Sequence, residues 1–299
     1  MGYRNIVVSS SVKISVKNSQ LIITGEASGT VPVEEIQTLM LESRASSITT
    51  YALSELSDKG VCVYICDEKH LPCAVIQPIG RYSRQRKRIM TQITQTKPTL
   101  KRLWKDIVIR KIQNQAQCLK YCECKSDKYS VLEQLSKNVT SGDDSNVEGR
   151  AAAIYFKTLF GNEFFRDDEN DVNAALNYGY AIMRGYIARI IANCGFEPCI
   201  GLHHSSELNN YNLADDLIEP FRPLVDLFVA TKLKNCEFNS DSKRELCNIL
   251  NYEVISSGKR YSAGRAVELL VQSLERCFDS KVDELVLPVL CELKLHEYE

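Results

Sequence analysis

A change of hydrophobic period near residue 80 constrains the fold of this 299-residue chain more than any other feature. Upstream of it, Val12, Ile14 and Val16 alternate with polar residues and Leu21-Ile22-Ile23 follows, the period-two pattern of half-buried strands. Val61 to Cys66 and Leu71 to Ile76 are short apolar runs suited to buried strands, with Asp67-Glu68-Lys69-His70 as a hairpin connection. One helix interrupts, near Tyr51 to Lys59, and Gly60 provides its C-cap. Pro78-Ile79-Gly80 ends the pattern. From Thr99 the period is helical. Leu103, Ile107, Arg110 and Asn114 begin a long helix, and Ala151, Ala152, Tyr155, Phe156 and Leu159 form one stripe closed by Gly161. Asn173 to Asn193 is apolar over much of its circumference, and Leu213 to Lys232 is a helix interrupted by Pro220 and Pro223. Helices around Asp241 to Asn251 and Gly264 to Phe278 follow, and Thr140 to Asn146 reads as a loop. The expected fold is α+β: a small β-rich N-terminal domain over 1–80, a basic linker over 81–98, and a larger all-α domain over 99–299.

With 44% hydrophobic residues the chain can bury an ordinary globular core, and no apolar run is long enough to span a membrane. The start, Met1-Gly2-Tyr3-Arg4-Asn5-Ile6, has no apolar signal core, and Ile6 fails the myristoylation pattern. Twelve cysteines without an export signal point to reduced thiols and a cytoplasmic location. Cys62 and Cys66 share a strand face as small core residues, and the Cys118, Cys122, Cys124 cluster lacks the paired spacing of a zinc site.

The net charge of −1 hides a block. Between Arg81 and Lys111 stand eleven Lys or Arg residues against one acid, Asp106, so this stretch carries +10 and the remainder −11. Such a run is either a solvated linker and helix face or a stripe that tracks phosphates.

Candidate chemistry lies around Gly201-Leu202-His203-His204 and Asp215-Asp216-Leu217-Ile218-Glu219-Pro220-Phe221-Arg222-Pro223, with Glu148 upstream at a helix head. An imidazole and two carboxylates can hold a divalent metal and leave positions open for substrate and water. Bland readings compete. Ser145-Asn146-Val147-Glu148 matches a capping box, which would occupy the Glu148 carboxylate. Asp215, Asp216 and Glu219 could be an exposed acidic face, although clustered like charges cost energy unless a cation offsets them. Phosphate-loop, GxGxxG and GxSxG motifs are missing, which tells against ATP-driven and nucleotide-cofactor chemistry.

Together these segments resemble the CRISPR-associated integrase that inserts new spacers, the larger of the two core spacer-acquisition proteins. The matching blocks are Glu148-Gly149-Arg150-Ala151-Ala152 with Tyr155-Phe156 and Leu159-Phe160-Gly161, then Asn173 to Ala181. Gly195-Phe196-Glu197-Pro198, Gly201 to His204 and Asp216 to Asp226 follow in the same order. The opening Met1 to Val8 and the strand ending Cys66-Asp67 are similar to the compact members of single-effector (type II) systems.

The resemblance implies a β-rich N-terminal domain, an α-helical catalytic domain and a homodimer, two of which flank a small second acquisition protein in a heterohexamer. It places the family's metal-binding glutamate on Glu148, its histidine on His204 rather than His203, and its second acid on Glu219, with Asp216 as an auxiliary acid. Double-stranded DNA, as spacer precursor and repeat, is the implied substrate, contacted by Arg81, Arg84, Arg86, Lys87, Arg88, Tyr178 and Arg222. The implied cofactor is Mg²⁺ or Mn²⁺, and the implied reaction is attack of a spacer 3′-OH on a repeat phosphodiester without ATP. Two other readings compete: a metal-dependent nuclease acting on branched or free DNA, which uses the same residues with water as nucleophile, and a nucleic-acid-binding scaffold without catalysis, in which the Arg81 to Lys111 stripe matters and the acids are structural.

Overall fold

The computed structural model describes every residue except 1, 27, 69–71, 77–83, 125, 126, 235, 236, 281, 283, 298 and 299. The chain divides into two compact units, one within residues 1–81 and one within residues 82–297.

In the N-terminal unit the chain runs β1 (Arg4–Val8), β2 (Val12–Lys17), β3 (Gln20–Gly25), β4 (Gly29–Pro32), β5 (Ile36–Leu41), β6 (Ser47–Ile48), α1 (Thr50–Lys59), β7 (Cys62–Cys66) and β8 (Pro72–Ile76). Two four-stranded sheets result, ordered β4-β3-β2-β6 and β1-β5-β7-β8. The expected alternation of β2 is seen directly, with Val12, Ile14 and Val16 buried and their polar neighbours turned out. Asn18 and Ser19, both at positive φ, make the two-residue turn into β3, where the strand twist favours left-handed residues. Gly60 caps α1 in the left-handed conformation at φ 84°. Strand β5 is one that periodicity does not reveal. It lies between β1 and β7, parallel to both, and its residues from Ile36 to Met40 are buried on both faces, so no alternation marks it. Leu21, Leu39, Leu56, Ile14 and Val63 centre the core. Strands β7 and β8 pair antiparallel as a hairpin would, but Lys69 and His70 of the expected connection, and the Pro78-Ile79-Gly80 break, lie outside the described residues.

The C-terminal unit contains α2 (Gln85–Ile93), α3 (Lys97–Tyr121), α4 (Lys128–Lys137), α5 (Val147–Phe160), α6 (Asp171–Asn193), α7 (Asn212–Ile218), α8 (Arg222–Phe228) and α9 (Ser240–Leu246). It ends with β9 (Tyr252–Ser256), β10 (Lys259–Ser262), α10 (Ala263–Phe278) and β11 (Val289–Leu295). The expected stripe on α5 is present, with Ala151, Tyr155 and Leu159 buried. Pro220 and Pro223 divide the predicted 213–232 helix into α7, a 3₁₀ turn over Glu219–Phe221, and α8. Two expectations are corrected. The region after residue 99 is not all-α, because β10, β9 and β11 form an antiparallel sheet whose short strands carry little alternating pattern. The 81–98 stretch is not simply a linker: α2 occupies Gln85–Ile93, and its Arg88 and Gln92 are buried. Among the described residues, no helix is long and apolar enough to cross a membrane.

Candidate active site

Glu148 stands in the first turn of α5. The expected capping box does not form. Asn146 is the N-cap instead, with its side-chain oxygen accepting from Gly149 N at 3.1 Å. The Asp143 carboxylate accepts from Val147 N at 2.9 Å and Glu148 N at 3.0 Å. With those amides satisfied from upstream, the Glu148 carboxylate is released from capping, and it meets the ammonium of Lys111 on α3.

Glu219 begins the turn between α7 and α8 and is buried. Its Oε1 accepts from Arg222 Nε at 2.8 Å. Beside Oε2 lies the same Lys111 ammonium, although that oxygen accepts no well-aligned hydrogen bond. Burial pushes the Glu219 pKa up, but Arg222 and Lys111 outweigh it and hold the group at about 2. For Lys111 burial pulls the pKa down, yet Glu219 and Glu148 more than offset this and leave it above the ordinary lysine value. The turn is tied to α3 a second time, where Asn114 Nδ2 donates to Pro220 O at 2.8 Å.

His204 is fixed by Asp216, a fully buried carboxylate on α7. Asp216 Oδ1 lies 2.7 Å from His204 Nδ1, and its two oxygens accept from the backbone amides of Leu202, His203 and His204. Gly201 is needed here, because a Cβ would run into the His204 carbonyl oxygen and Asp216 Oδ2. The loop is held from behind by α2: Gln92 Nε2 donates to the carbonyls of Glu197 and Ile200, and Gln92 Oε1 accepts from Glu197 N at 2.9 Å. The hydrogen bond to Asp216 raises the His204 pKa against the opposing effect of burial, and the charges of Asp216, Glu219 and Asp215 add to it. His203 points elsewhere, stacked on Trp104 with ring centroids 4.4 Å apart.

The acids around residue 216 are therefore not an exposed face, and protein cations already offset their crowding. Asp215 pairs with Arg184 at 2.7 Å, while Lys111 and Arg222 serve Glu219. Nor are Glu148, His204 and Glu219 preassembled as a metal cluster: among the described residues no group of three or more His, Cys, Asp and Glu side chains is placed to hold an ion. Lys111 takes the position between the two glutamates. The donor set nevertheless suits a hard divalent cation. It offers two carboxylates already gathered around one positive charge, and an imidazole whose Nδ1 is engaged, so that Nε2 is the nitrogen that could ligate a metal. Asp216, expected as an auxiliary acid, has both oxygens engaged by His204 Nδ1 and the backbone amides of residues 202–204.

Among the residues expected to contact DNA, Arg84, the N-cap of α2, and Arg86 and Lys87 in its first turn are exposed. Arg81 lies outside the described residues. Arg88 and Tyr178 are corrections. The Arg88 guanidinium is buried against Glu275 and Asp279 of the α10 end, and the Tyr178 hydroxyl is buried beside Cys247 at 3.3 Å. Arg222 is turned to Glu219 and stands over the Tyr180 ring. Sequence reasoning missed Lys111, Asp143, Trp104 and Gln92. Lys111 carries a usable signal: it falls four residues after Ile107 and three before Asn114, in a slot of the buried stripe of α3.

The family described as "CRISPR associated protein Cas1" matches residues 6–252. The chain is 40% identical, over the whole of both chains, to the CRISPR-associated endonuclease Cas1 of Neisseria meningitidis serogroup C (strain 8013). Among solved structures, a casposase bound to integration product superposes with a TM-score of 0.76 at 20% identity, covering 95% of this chain and 92% of that one. A chain of a partial Cas6-RT-Cas1–Cas2 complex gives a TM-score of 0.63 at 18% identity, covering 98% of this chain and 100% of that one. A full-length relative at that identity, together with a family match across most of the sequence, places this chain in the Cas1 family of CRISPR-associated proteins.

Proposed function

We propose that this Cas1-family endonuclease and integrase of CRISPR adaptation joins 3′-OH ends of new spacer DNA to the repeat array by direct, metal-assisted transesterification at Glu148, His204 and Glu219. The observation that carries this reading is the pair of carboxylates gathered around one cation, beside a histidine whose Nδ1 is held by a buried carboxylate. Glu148, His204 and Glu219 would hold Mg²⁺ or Mn²⁺, which would supply a Lewis acid for the scissile phosphodiester and offset charge on the departing 3′ oxygen. Asp216 fixes the imidazole so that Nε2 is the free nitrogen, and Arg222 keeps Glu219 ionised. The attacking group is the DNA's own hydroxyl, so the chain needs no nucleophile of its own.

Support for double-stranded DNA as substrate comes from the casposase neighbour, which is bound to integration product, and from exposed Arg84, Arg86 and Lys87. The Cas1–Cas2 neighbour supports a second acquisition protein as partner, and to this the proposal adds that the chain acts as a homodimer, two of which flank that small partner in a heterohexamer. A cytoplasmic location goes with a substrate of intracellular DNA. The test is integration of a 3′-OH duplex into repeat DNA with Mn²⁺ or Mg²⁺. Glu148→Ala, His204→Ala and Glu219→Ala each abolish joining, His203→Ala retains it, and neither a dideoxy-ended donor nor EDTA-treated protein gives product. Cleavage without joining would instead make the chain a nuclease acting on branched or free DNA.

A further inference from the structure

Lys111 has no place in the chemistry above, yet it lies at its centre. Its side chain is 8% exposed, and its ammonium touches Glu148 on α5 and Glu219 beyond α7. Burying an ammonium is costly unless it is paired on several sides. An apolar residue would complete the stripe that runs through Leu103 and Ile107, so packing alone gives no reason for a lysine here. The charges do. Two carboxylates from separate elements repel each other, and Arg222 pairs with Glu219. Lys111 supplies the cation that lets both face one point.

We propose that Lys111 is a positioning residue of the active site, whose ammonium holds the Glu148 and Glu219 carboxylates together until a divalent cation replaces it between them. This rests on the reading of Glu148 and Glu219 as metal ligands. Two effects of opposite sign follow. Without metal, Lys111 stabilises the fold by neutralising the pair. With metal, it is a competitor, because an incoming cation must displace Nζ and meet its positive charge. A merely structural lysine shows the first effect and not the second.

The experiment compares wild type with Lys111→Met, which keeps the length of the side chain and removes its charge. Thermal unfolding is followed in metal-free buffer, and Mn²⁺ affinity is measured by calorimetry on the same preparations. The expected result is a lower Tm without metal and an Mn²⁺ affinity higher by about tenfold or more, equivalent to ~1.4 kcal/mol of competition removed. If Lys111→Met does not fold alone, recovery of the folded state in excess Mn²⁺ is expected, and failure to recover would overturn the proposal. A second check is Lys111→Met with Glu148→Gln. Removing one carboxylate with the lysine relieves the repulsion, so the double variant melts above Lys111→Met. Unchanged or weaker Mn²⁺ affinity in Lys111→Met, while wild type binds the ion, sinks the lysine inference alone. Wild-type affinity that survives Glu148→Gln and Glu219→Gln sinks the metal-ligand reading and the lysine inference with it.

Discussion

The two units of this protein bury charge to very different extents. In the N-terminal unit the core is aliphatic, built from residues such as Ile14, Leu21 and Leu39, the ion pairs Arg4–Glu35 and Lys59–Glu34 lie at its surface, and among the described charged residues Glu42 alone is buried. In the C-terminal unit Arg88, Lys111, Asp216, Glu219 and Asp226 are all buried. Buried charges contribute little net stability even when paired, and they are lost at high cost when a partner is removed. Their concentration in one unit therefore marks where the chain has given up apolar packing for function. The contrast teaches that polar burial, more than shape, locates the chemistry of this molecule.

The largest expected effect tests that contrast within a single helix. At the start of α2, the N-cap Arg84 and the helical Arg86 and Lys87 are exposed, whereas Arg88 is buried against Glu275 and Asp279. Arg88→Ala strands two carboxylates and should cost about 3–5 kcal/mol, read from urea unfolding. Exchanging Arg84, Arg86 and Lys87 for Glu should leave the unfolding midpoint nearly unchanged. That triple variant should instead weaken DNA binding across all sequences and flatten its salt dependence, by up to roughly one unit of slope for each phosphate no longer neutralised. A stable Arg88→Ala protein would break the comparison.

A smaller effect concerns Asp226, which accepts hydrogen bonds from Tyr155 and Tyr180 in the interior. Burial raises its pKa to about 6 against the opposing hydrogen bonds of Tyr180 and Tyr155. The native state therefore keeps a proton that the unfolded chain has already lost near its ordinary value of 3.8. Between those values the folded state binds more protons, so this group's contribution falls as pH rises and is fully unfavourable above about 6. A shift of that size corresponds to roughly 3 kcal/mol. Asp226→Asn should gain stability over wild type at about pH 8 and lose that advantage at about pH 4. Parallel unfolding curves for the two proteins across this range would show that Asp226 titrates normally.

How much of the molecule is legible in its sequence follows the same division. Val12, Ile14 and Val16 announce β2 because one face is wet, while β5 is buried on both faces and carries no alternation to read. The positions of Glu148, His204 and Glu219 are readable from five ordered blocks, but their surroundings are not. Nothing local says that Asp143 caps α5 and releases Glu148, since Asp143 lies outside the Ser145-to-Glu148 box. Lys111 and Arg88 are hidden inside a basic run, where counting charges cannot separate a buried cation from a solvated one. That separation depends on acids far away in sequence.

The smallest effect lies at the other end of the comparison. Lys59 and Glu34 pair at 2.8 Å on the surface of the N-terminal unit. Their hydrogen bond, with the charge attraction that accompanies it, raises the pKa of Lys59 and lowers that of Glu34. Both side chains remain in water, however, where screening and the entropy of holding two long side chains leave little net gain. Lys59 also ends α1, just before the left-handed Gly60 that caps the helix through its own backbone N–H, so the helix keeps its stop signal without the lysine. Lys59→Ala should therefore leave the Tm unchanged within error at physiological salt, and the same should hold for Glu34→Ala. A clear drop in both, abolished by added salt, would mean that charge at this surface is coupled to folding after all, and the contrast between the two units would be one of degree.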